Sequence, residues 1–404
     1  MQKDFDKKAV GKKRVLFISD SMACDGASRN LISLFSVFDY DLYDVQLLLL
    51  SSKDSIFYKR IPSNVRKLNE DEIMNAFFQP LFNSMALLLR GGHLIFFIYR
   101  IIFSLVIRLP FAFFQRFWLW LVKRFPDFPG DFDVVIGYQD ILSGYYAAFK
   151  TSGKIKIGWN HHDYLDQKRD IVSDSAYIGQ IDYLVTISKA SLSSLKKALP
   201  KFSYKFRIIP NIIRSDVIKS MAVEGRGFDD SFEGIRILTI GRLCKDKGID
   251  IALEACRMLL EDGYNVRWYV LGDGPMVKKL KKLTRRYSVE SQFILLGESD
   301  NPFPYLAQSA IYVQPSRTEA FGNAVAEARI LCKPIVVTDL PAFRCQLRNG
   351  IDGLIVQTTP KAVYEGVKKL IEEPRLLTIL TQNLKSKNVI DENDLTNLYK
   401  LFQV

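Results

Sequence analysis

The sequence predicts an α/β protein of two doubly wound, Rossmann-like domains facing each other across a deep cleft. Three observations carry that prediction. The chain has 404 residues, too many for one ordinary core and suited to two domains of roughly 150–200 residues each. Short apolar runs alternate with helical patterns, the rhythm of βαβ units and a parallel sheet. The rhythm also runs through the chain twice. The breaks place an N-terminal domain at 1–213, a linker at 214–234 and a second domain at 235–380, with C-terminal helices over 381–404. A cleft between two such domains is the default ligand site.

The first pass opens with a strand at 14–19, whose core Val15-Leu16-Phe17-Ile18 is too short for a signal-peptide segment. A loop through Gly26 leads to a helical pattern from Ala27 to Phe38 and a strand at 44–50. Further strands read at Val134–Gly137, Ile155–Trp159, Tyr183–Ile187 and Arg207–Ile209. In the second pass, strand Ile235–Ile240 leads to helix 249–261 and strand Val266–Leu271. Helix 275–287 precedes strand Phe293–Leu296, and helix 323–331 lies between strands Ile311–Val313 and Ile335–Thr338. Strand Gly353–Val356 and a helix from Pro360 to Glu372 follow. The linker, 214–234, has mixed charge, several glycines and no clear period.

Apolar residues make up 48% of the chain and charged residues 25%, which excludes wholly disordered and low-complexity classes. The net charge of +12 suits nucleic acid, an anionic membrane or an anionic small substrate. The basic residues are not interleaved in a nucleic-acid-binding module, so no nucleic-acid partner is expected. Five cysteines without close C-x-x-C spacing fit a reduced, cytoplasmic protein. Residues 73–126 break the pattern. They contain no Asp or Glu, six basic residues and many aromatics, and Arg100, Arg108 and Pro110 interrupt any membrane-spanning run. The segment reads as helices lying in the interface of an anionic leaflet, which would place the protein peripherally on the inner face of the plasma membrane. Its alternative is an unusually apolar pair of core helices.

Three loops at carboxyl ends of strands in the second domain carry the chemistry. Ser316-Arg-Thr-Glu319-Ala-Phe-Gly322-Asn323-Ala324-Val-Ala-Glu327 enters a helix, whose first N–H groups and dipole favour an anion such as a diphosphate. Two carboxylates beside an anion site suit sugar hydroxyls; the plainer reading is a favourable acid near a helix start and a second, solvated acid. Gly241-Arg242-Leu-Cys-Lys245-Asp-Lys247-Gly248 offers a planar fork in Arg242 and a point charge in Lys247. The plainer reading there is a solvated basic loop. Leu271-Gly272-Asp273-Gly274-Pro275 is a G-x-G turn, or simply a tight turn with Pro275 at a helix start.

Together these motifs resemble the donor domain of the retaining GT-B glycosyltransferases of family 4 (glycosyltransferase group 1). The resemblance covers nearly the whole chain and is strongest from Ile235 to Val356. In the first domain, Asp25-Gly26-Ala27 resembles the family's glycine loop, and Trp159-Asn-His161-His162-Asp163 resembles the Trp-x-His-x-Asp segment of capsule and exopolysaccharide members. Val185-Thr-Ile-Ser188 and Ile209-Pro210-Asn211 also match family stretches. The resemblance implies a donor site formed by Arg242, Lys247, Gly272, Gly274, Gly322, Asn323, Ala324 and Glu327. Arg242 and Lys247 would neutralise the diphosphate, and Glu327 would hold the ribose. Glu319 and His161 would face the sugar as the catalytic pair, His162 being the rival of His161. It also implies C-terminal helices that pack back on the first domain.

The implied activity is retaining transfer of a hexose from a nucleotide-diphosphate sugar, UDP-sugar first and GDP-sugar second, to a lipid-linked or polysaccharide acceptor in cell-surface glycan synthesis. Alternatives are a sugar-nucleotide epimerase or phosphorylase on the same fold, or a non-catalytic membrane-binding relative. No cofactor or metal is expected: Asp131-Phe-Asp133 reads as a strand start, and three histidines make no zinc set. Ala320 and Asp25-Gly26 stand where the family commonly has glycine, which leaves the sugar open.

Overall fold

The computed structural model describes residues 11–22, 26–51, 56–68, 72–386 and 395–403. The chain divides into two compact units, Met1–Ile212 with Asp394–Val404, and Ile213–Asn393. Both are parallel sheets flanked by helices.

The first unit holds β1 (Lys13–Ser19), β2 (Tyr43–Leu49), β3 (Arg66–Leu68), β4 (Asp131–Gly137), β5 (Ser152–Asn160), β6 (Tyr183–Thr186) and β7 (Phe206–Ile208). Their order is β3-β2-β1-β4-β5-β6-β7. Val15 of β1 sits opposite Val45 on one side and Val134 on the other, all in parallel register. The centre of β1 is buried on both faces, as its unbroken apolar run requires in a sheet covered on both sides. β3 escapes sequence reading because it is a three-residue edge strand, Arg-Lys-Leu, with no apolar alternation. Asp133 accepts from the Arg14 amide at 2.8 Å and the Lys154 ammonium at 2.7 Å, so it serves the start of β4.

Residues 73–126 form most of four helices, Glu72–Phe78, Leu81–Arg90, Leu94–Val106 and Phe111–Val122. They are not purely surface helices: Phe77, Leu88, Phe103, Trp118 and Leu121 belong to the main core of the unit. No helix among the described residues is long and apolar enough to cross a membrane.

A buried polar network ties the last of these helices to helices Leu142–Lys150 and Ile171–Gly179. Arg169 donates to both oxygens of Asp174 at 2.8 Å. Asp174 also accepts from the hydroxyls of Tyr145 (3.0 Å) and Tyr164 (2.6 Å). Gln115 donates to Tyr145 and accepts from the Asp170 amide, both at 2.7 Å. Burial alone would push the Arg169 guanidinium down, but Asp174 and Asp140 hold it above its ordinary value. Burial raises the Tyr145 and Tyr164 hydroxyls, which stay protonated donors.

The second unit holds β8 (Ile235–Ile240), β9 (Val266–Leu271), β10 (Phe293–Gly297), β11 (Ile311–Gln314), β12 (Ile335–Thr338) and β13 (Leu354–Val356). Their order is β10-β9-β8-β11-β12-β13. The predicted helix at 249–261 is present, its buried stripe running from Ile249 to Leu259.

The 214–234 stretch is not a linker. Residues Ser215–Val223 form a helix whose Ile218 packs with Phe303 and Ile330 of the second unit. Downstream, Asp230 accepts from Arg236, Arg267 and Tyr269. Mixed charge without a period read as a linker there, but Asp230 pairs with residues of β8 and β9. The 381–404 helices also divide differently from expectation. Helix Pro374–Ser386 buries Leu380 and Leu384 in the second unit. Helix Thr396–Leu401 belongs to the first, where Tyr399 stacks on Tyr43 at 5.0 Å.

Breaking a buried ion pair by removing one partner strands a charge. Asp174→Ala is therefore expected to destabilise the first unit by about 3–5 kcal/mol, read as a lower urea midpoint. An unchanged midpoint would show that the network contributes nothing.

Candidate functional site

In the second unit the strand order reverses between β8 and β11, the topological switch point at which open α/β sheets place ligands. The loops 241–248 and 315–322 leave the carboxyl ends of these two strands. Sequence separates them by some seventy residues; the structure locks them together. The Arg317 guanidinium donates to both oxygens of Asp250 (2.7 and 2.8 Å) and to the Lys245 carbonyl (2.9 Å). The Arg317 amide donates to the Asp246 carbonyl at 2.6 Å. Burial pushes the Asp250 carboxyl up, and Arg317 more than offsets this, holding it below the usual range. Gly248 adopts φ +64°, and a Cβ there would lie 2.0 Å from the Pro315 carbonyl oxygen. Only glycine allows both the turn and the approach.

The Lys247 ammonium donates to Glu319 Oε1 at 2.6 Å, joining the two loops at two of the candidate residues. Glu319 Oε1 also accepts from Ser316 Oγ at 3.0 Å, and Ser316 accepts from Gln314 Nε2 at 3.0 Å. The Tyr312 hydroxyl donates to Gln314 Oε1 and fixes that amide. This hydrogen-bonded chain starts inside β11 and ends on the carboxylate, so the strand core sets where Glu319 points. Sequence reading assigned no role to Gln314, Ser316 or Arg317. Gln314 and Ser316 alternate along a strand end in a polar pattern that could have flagged them, whereas no spacing signals the Arg317–Asp250 pair.

Gly322 caps the helix Asn323–Ile330 at φ +86°, and a Cβ there would meet the Phe343 ring at 2.6 Å. Val325 already donates to the Gly322 carbonyl, so the N–H groups of Gly322, Asn323 and Ala324 precede the first intrahelical bond. Glu327, one turn on, is only 3% exposed and is not a solvated acid. Arg242 is exposed, and its guanidinium makes no hydrogen bond or ion pair among the described residues. Gly272 and Gly274 brace the first loop. The Leu243 amide donates to the Asp273 carbonyl at 2.8 Å, and a Cβ at either glycine would strike the 241–243 backbone.

His161 and Gly26–Ala27 lie in the first unit. Ala27 belongs to the first turn of helix Gly26–Ser36, which Gly26 opens, and the preceding Asp25 lies outside the described residues. His161 follows β5, stacked near Trp159 and against Tyr138. Its Nε2 sits 2.7 Å from the Tyr138 carbonyl. A carbonyl only accepts, so Nε2 carries a proton and Nδ1 is the nitrogen that can accept one. His162 is more exposed, with Nε2 3.5 Å from Asp140. Among the described residues, no three His, Cys, Asp or Glu side chains are grouped to hold a metal ion.

Residues 232–387 match the glycosyl transferases group 1 family. The chain is 26% identical over 208 residues to the N-acetylgalactosamine-N,N'-diacetylbacillosaminyl-diphospho-undecaprenol 4-alpha-N-acetylgalactosaminyltransferase of Campylobacter jejuni, covering 51% of this chain and 55% of that one. It is 27% identical over 146 residues to a capsular polysaccharide biosynthesis glycosyltransferase of Staphylococcus aureus, covering 36% and 38%. The matches span less than two thirds of the length of these curated relatives. HepE of Anabaena, solved with UDP and glucose, superposes with a TM-score of 0.67 at 15% identity, covering 97% of this chain and 100% of that one. The fold is thus that of the GT-B glycosyltransferases, two parallel-sheet Rossmann-like halves. Residues 232–387 are its glycosyl transferases group 1 domain.

The loop lock has a direct test. Gly248 and Gly263 both adopt positive φ, but a Cβ at Gly263 meets nothing within 4 Å. Gly248→Ala should therefore lower the melting temperature clearly more than Gly263→Ala, by a penalty exceeding about 1 kcal/mol. Equal losses would show that the two loops are not in forced contact.

Proposed function

We propose that the protein is a retaining glycosyltransferase. It moves a hexose from a nucleotide-diphosphate sugar, with UDP-sugar the leading candidate and GDP-sugar the second, to a lipid-linked glycan acceptor in cell-surface polysaccharide synthesis. The observation that carries this reading is the Lys247–Glu319 pair across the switch point, followed by the buried Glu327 on the next helix. The names of two similar proteins support the choice of substrates: HepE was solved with UDP and glucose, and the Campylobacter enzyme is named for a diphospho-undecaprenol substrate.

An ammonium has three N–H donors. Lys247 can keep one on Glu319 and turn another to a diphosphate oxygen. Arg242, exposed on the same loop, adds a planar fork, and the N–H groups of Gly322, Asn323 and Ala324 complete the anion site. Glu327 accepts from the ribose hydroxyls, and Glu319 Oε2 from the donor sugar. The acceptor hydroxyl oxygen then bonds to the anomeric carbon as the bond to the diphosphate breaks. Attack comes from the leaving-group face, and the departing phosphate oxygen takes the acceptor proton. The configuration is kept without a protein nucleophile. Charge on the leaving group is stabilised by Arg242 and Lys247, so the scheme needs no metal.

In a thermal-shift screen of nucleoside diphosphates and nucleotide sugars, one base should raise the melting temperature of the wild type. The Arg242→Ala, Lys247→Ala double variant should lose that shift. Glu327→Gln should weaken binding of the same ligand about tenfold or more. No shift with any ligand, or one undiminished in the double variant, would overturn the donor site. Nuclear magnetic resonance of the product should show the donor's anomeric configuration; an inverted product would refute retention alone.

A further inference from the structure

Of the 23 large apolar side chains exposed among the described residues, 14 fall between Phe82 and Trp120. Helix Leu94–Val106 reads LIFFIYRIIFSLV, and Phe103 is its one fully buried side chain. Its inner side, Phe96, Phe97 and Tyr99, packs against the core. Its outer side carries Ile95, Ile98, Ile102 and Leu105, spaced to form one stripe, with Leu105 60% exposed. The turn that follows exposes Ile107 and Leu109, and the next helix exposes Phe111 and Phe113. The Ser104 hydroxyl donates to the Ile101 carbonyl at 2.7 Å, which satisfies it within the helix. Contiguous apolar surface of this extent marks an interaction site.

Charge specifies the partner. Residues 73–126 contain no acid. Of their six bases, Arg100 donates to the Gln79 carbonyl and Arg116 to Asp170, so both serve the fold. Arg90, Arg108, Lys123 and Arg124 are exposed on the same run of helices and turns, Lys123 lying over the Phe149 ring. Arg124 lies 3.6 Å from the centre of the half-exposed Trp120 ring, a pairing suited to the headgroup layer. A second copy of the chain would set these bases against each other. The helix is about 20 Å long at 1.5 Å per residue, too short to cross a hydrocarbon core of about 30 Å.

We propose that the outer face of helices Leu94–Val106 and Phe111–Val122 seats the protein on one leaflet of an anionic membrane. The apolar stripe lies in the acyl–headgroup boundary, and the four exposed bases meet anionic lipid headgroups. This binding is independent of the donor reaction.

The test is flotation of the full chain with vesicles of phosphatidylcholine, with and without phosphatidylglycerol, in the absence of nucleotide. The wild type should float with the anionic vesicles, and Trp120 should be quenched by brominated lipid, a signal lost in Trp120→Phe. Arg90→Gln, Arg108→Gln and Lys123→Gln together should weaken binding on the order of a hundredfold. Ile95→Ser, Ile98→Ser and Leu105→Ser together should abolish it at all salt concentrations; their exposed positions predict an unchanged melting temperature. Undiminished flotation of the serine variant would overturn the proposal. So would a wild type that stays off anionic vesicles, whether as a monomer or as a dimer that the serine variant dissolves.

Discussion

The contact between Lys247 and Glu319 is the constraint on which the second unit's site depends. Opposite charges on two loops distant in sequence meet at 2.6 Å, where the order of the sheet reverses. Each is held from behind. Lys247 lies next to Gly248, whose left-handed backbone accepts the close approach of Pro315. Glu319 is held through Ser316 and Gln314 by a hydroxyl inside the sheet. The Arg317–Asp250 bridge closes the same pair of loops on their outer side. A preorganised charge pair costs no rearrangement when a ligand arrives, which is the condition for electrostatic stabilisation of a leaving group.

The first unit solves a different problem. Its helical insertion must be greasy enough on one side to join the core and remain anchored despite a second apolar side. Phe77, Phe103 and Trp118 provide the inner packing. Gln115 and Arg116 add polar ties, the latter to Asp170, which caps helix Ile171–Gly179 through the Ser173 amide. Residues 73–126 thus carry a core face and an exposed apolar face on the same helices.

Much of this was legible in the sequence, because buried parallel strands are continuous apolar runs and their order alternates with amphipathic helices. β8, β9 and β12 and the helices at 249–261 and 360–372 follow that pattern directly. Arg66–Leu68 did not, since a short charged edge strand has no pattern of its own. The linker reading failed because pairing partners such as Arg236 and Arg267 for Asp230 are invisible until the strands are placed. At the site, glycine and charge patterns marked Arg242, Lys247, Glu319 and Glu327. The supporting chain through Gln314 and Ser316, and the tautomer of His161, needed three-dimensional partners that spacing does not encode.

The central claim is that Lys247 and Glu319 act as one unit on the donor diphosphate. Calorimetric titration of UDP into the wild type, Lys247→Ala, Glu319→Ala and the double variant measures this as a coupling free energy. The single losses should exceed additivity, with a coupling of about 1 kcal/mol or more. Losses that add to within about 0.3–0.5 kcal/mol would show two independent residues and contradict a shared role for the pair.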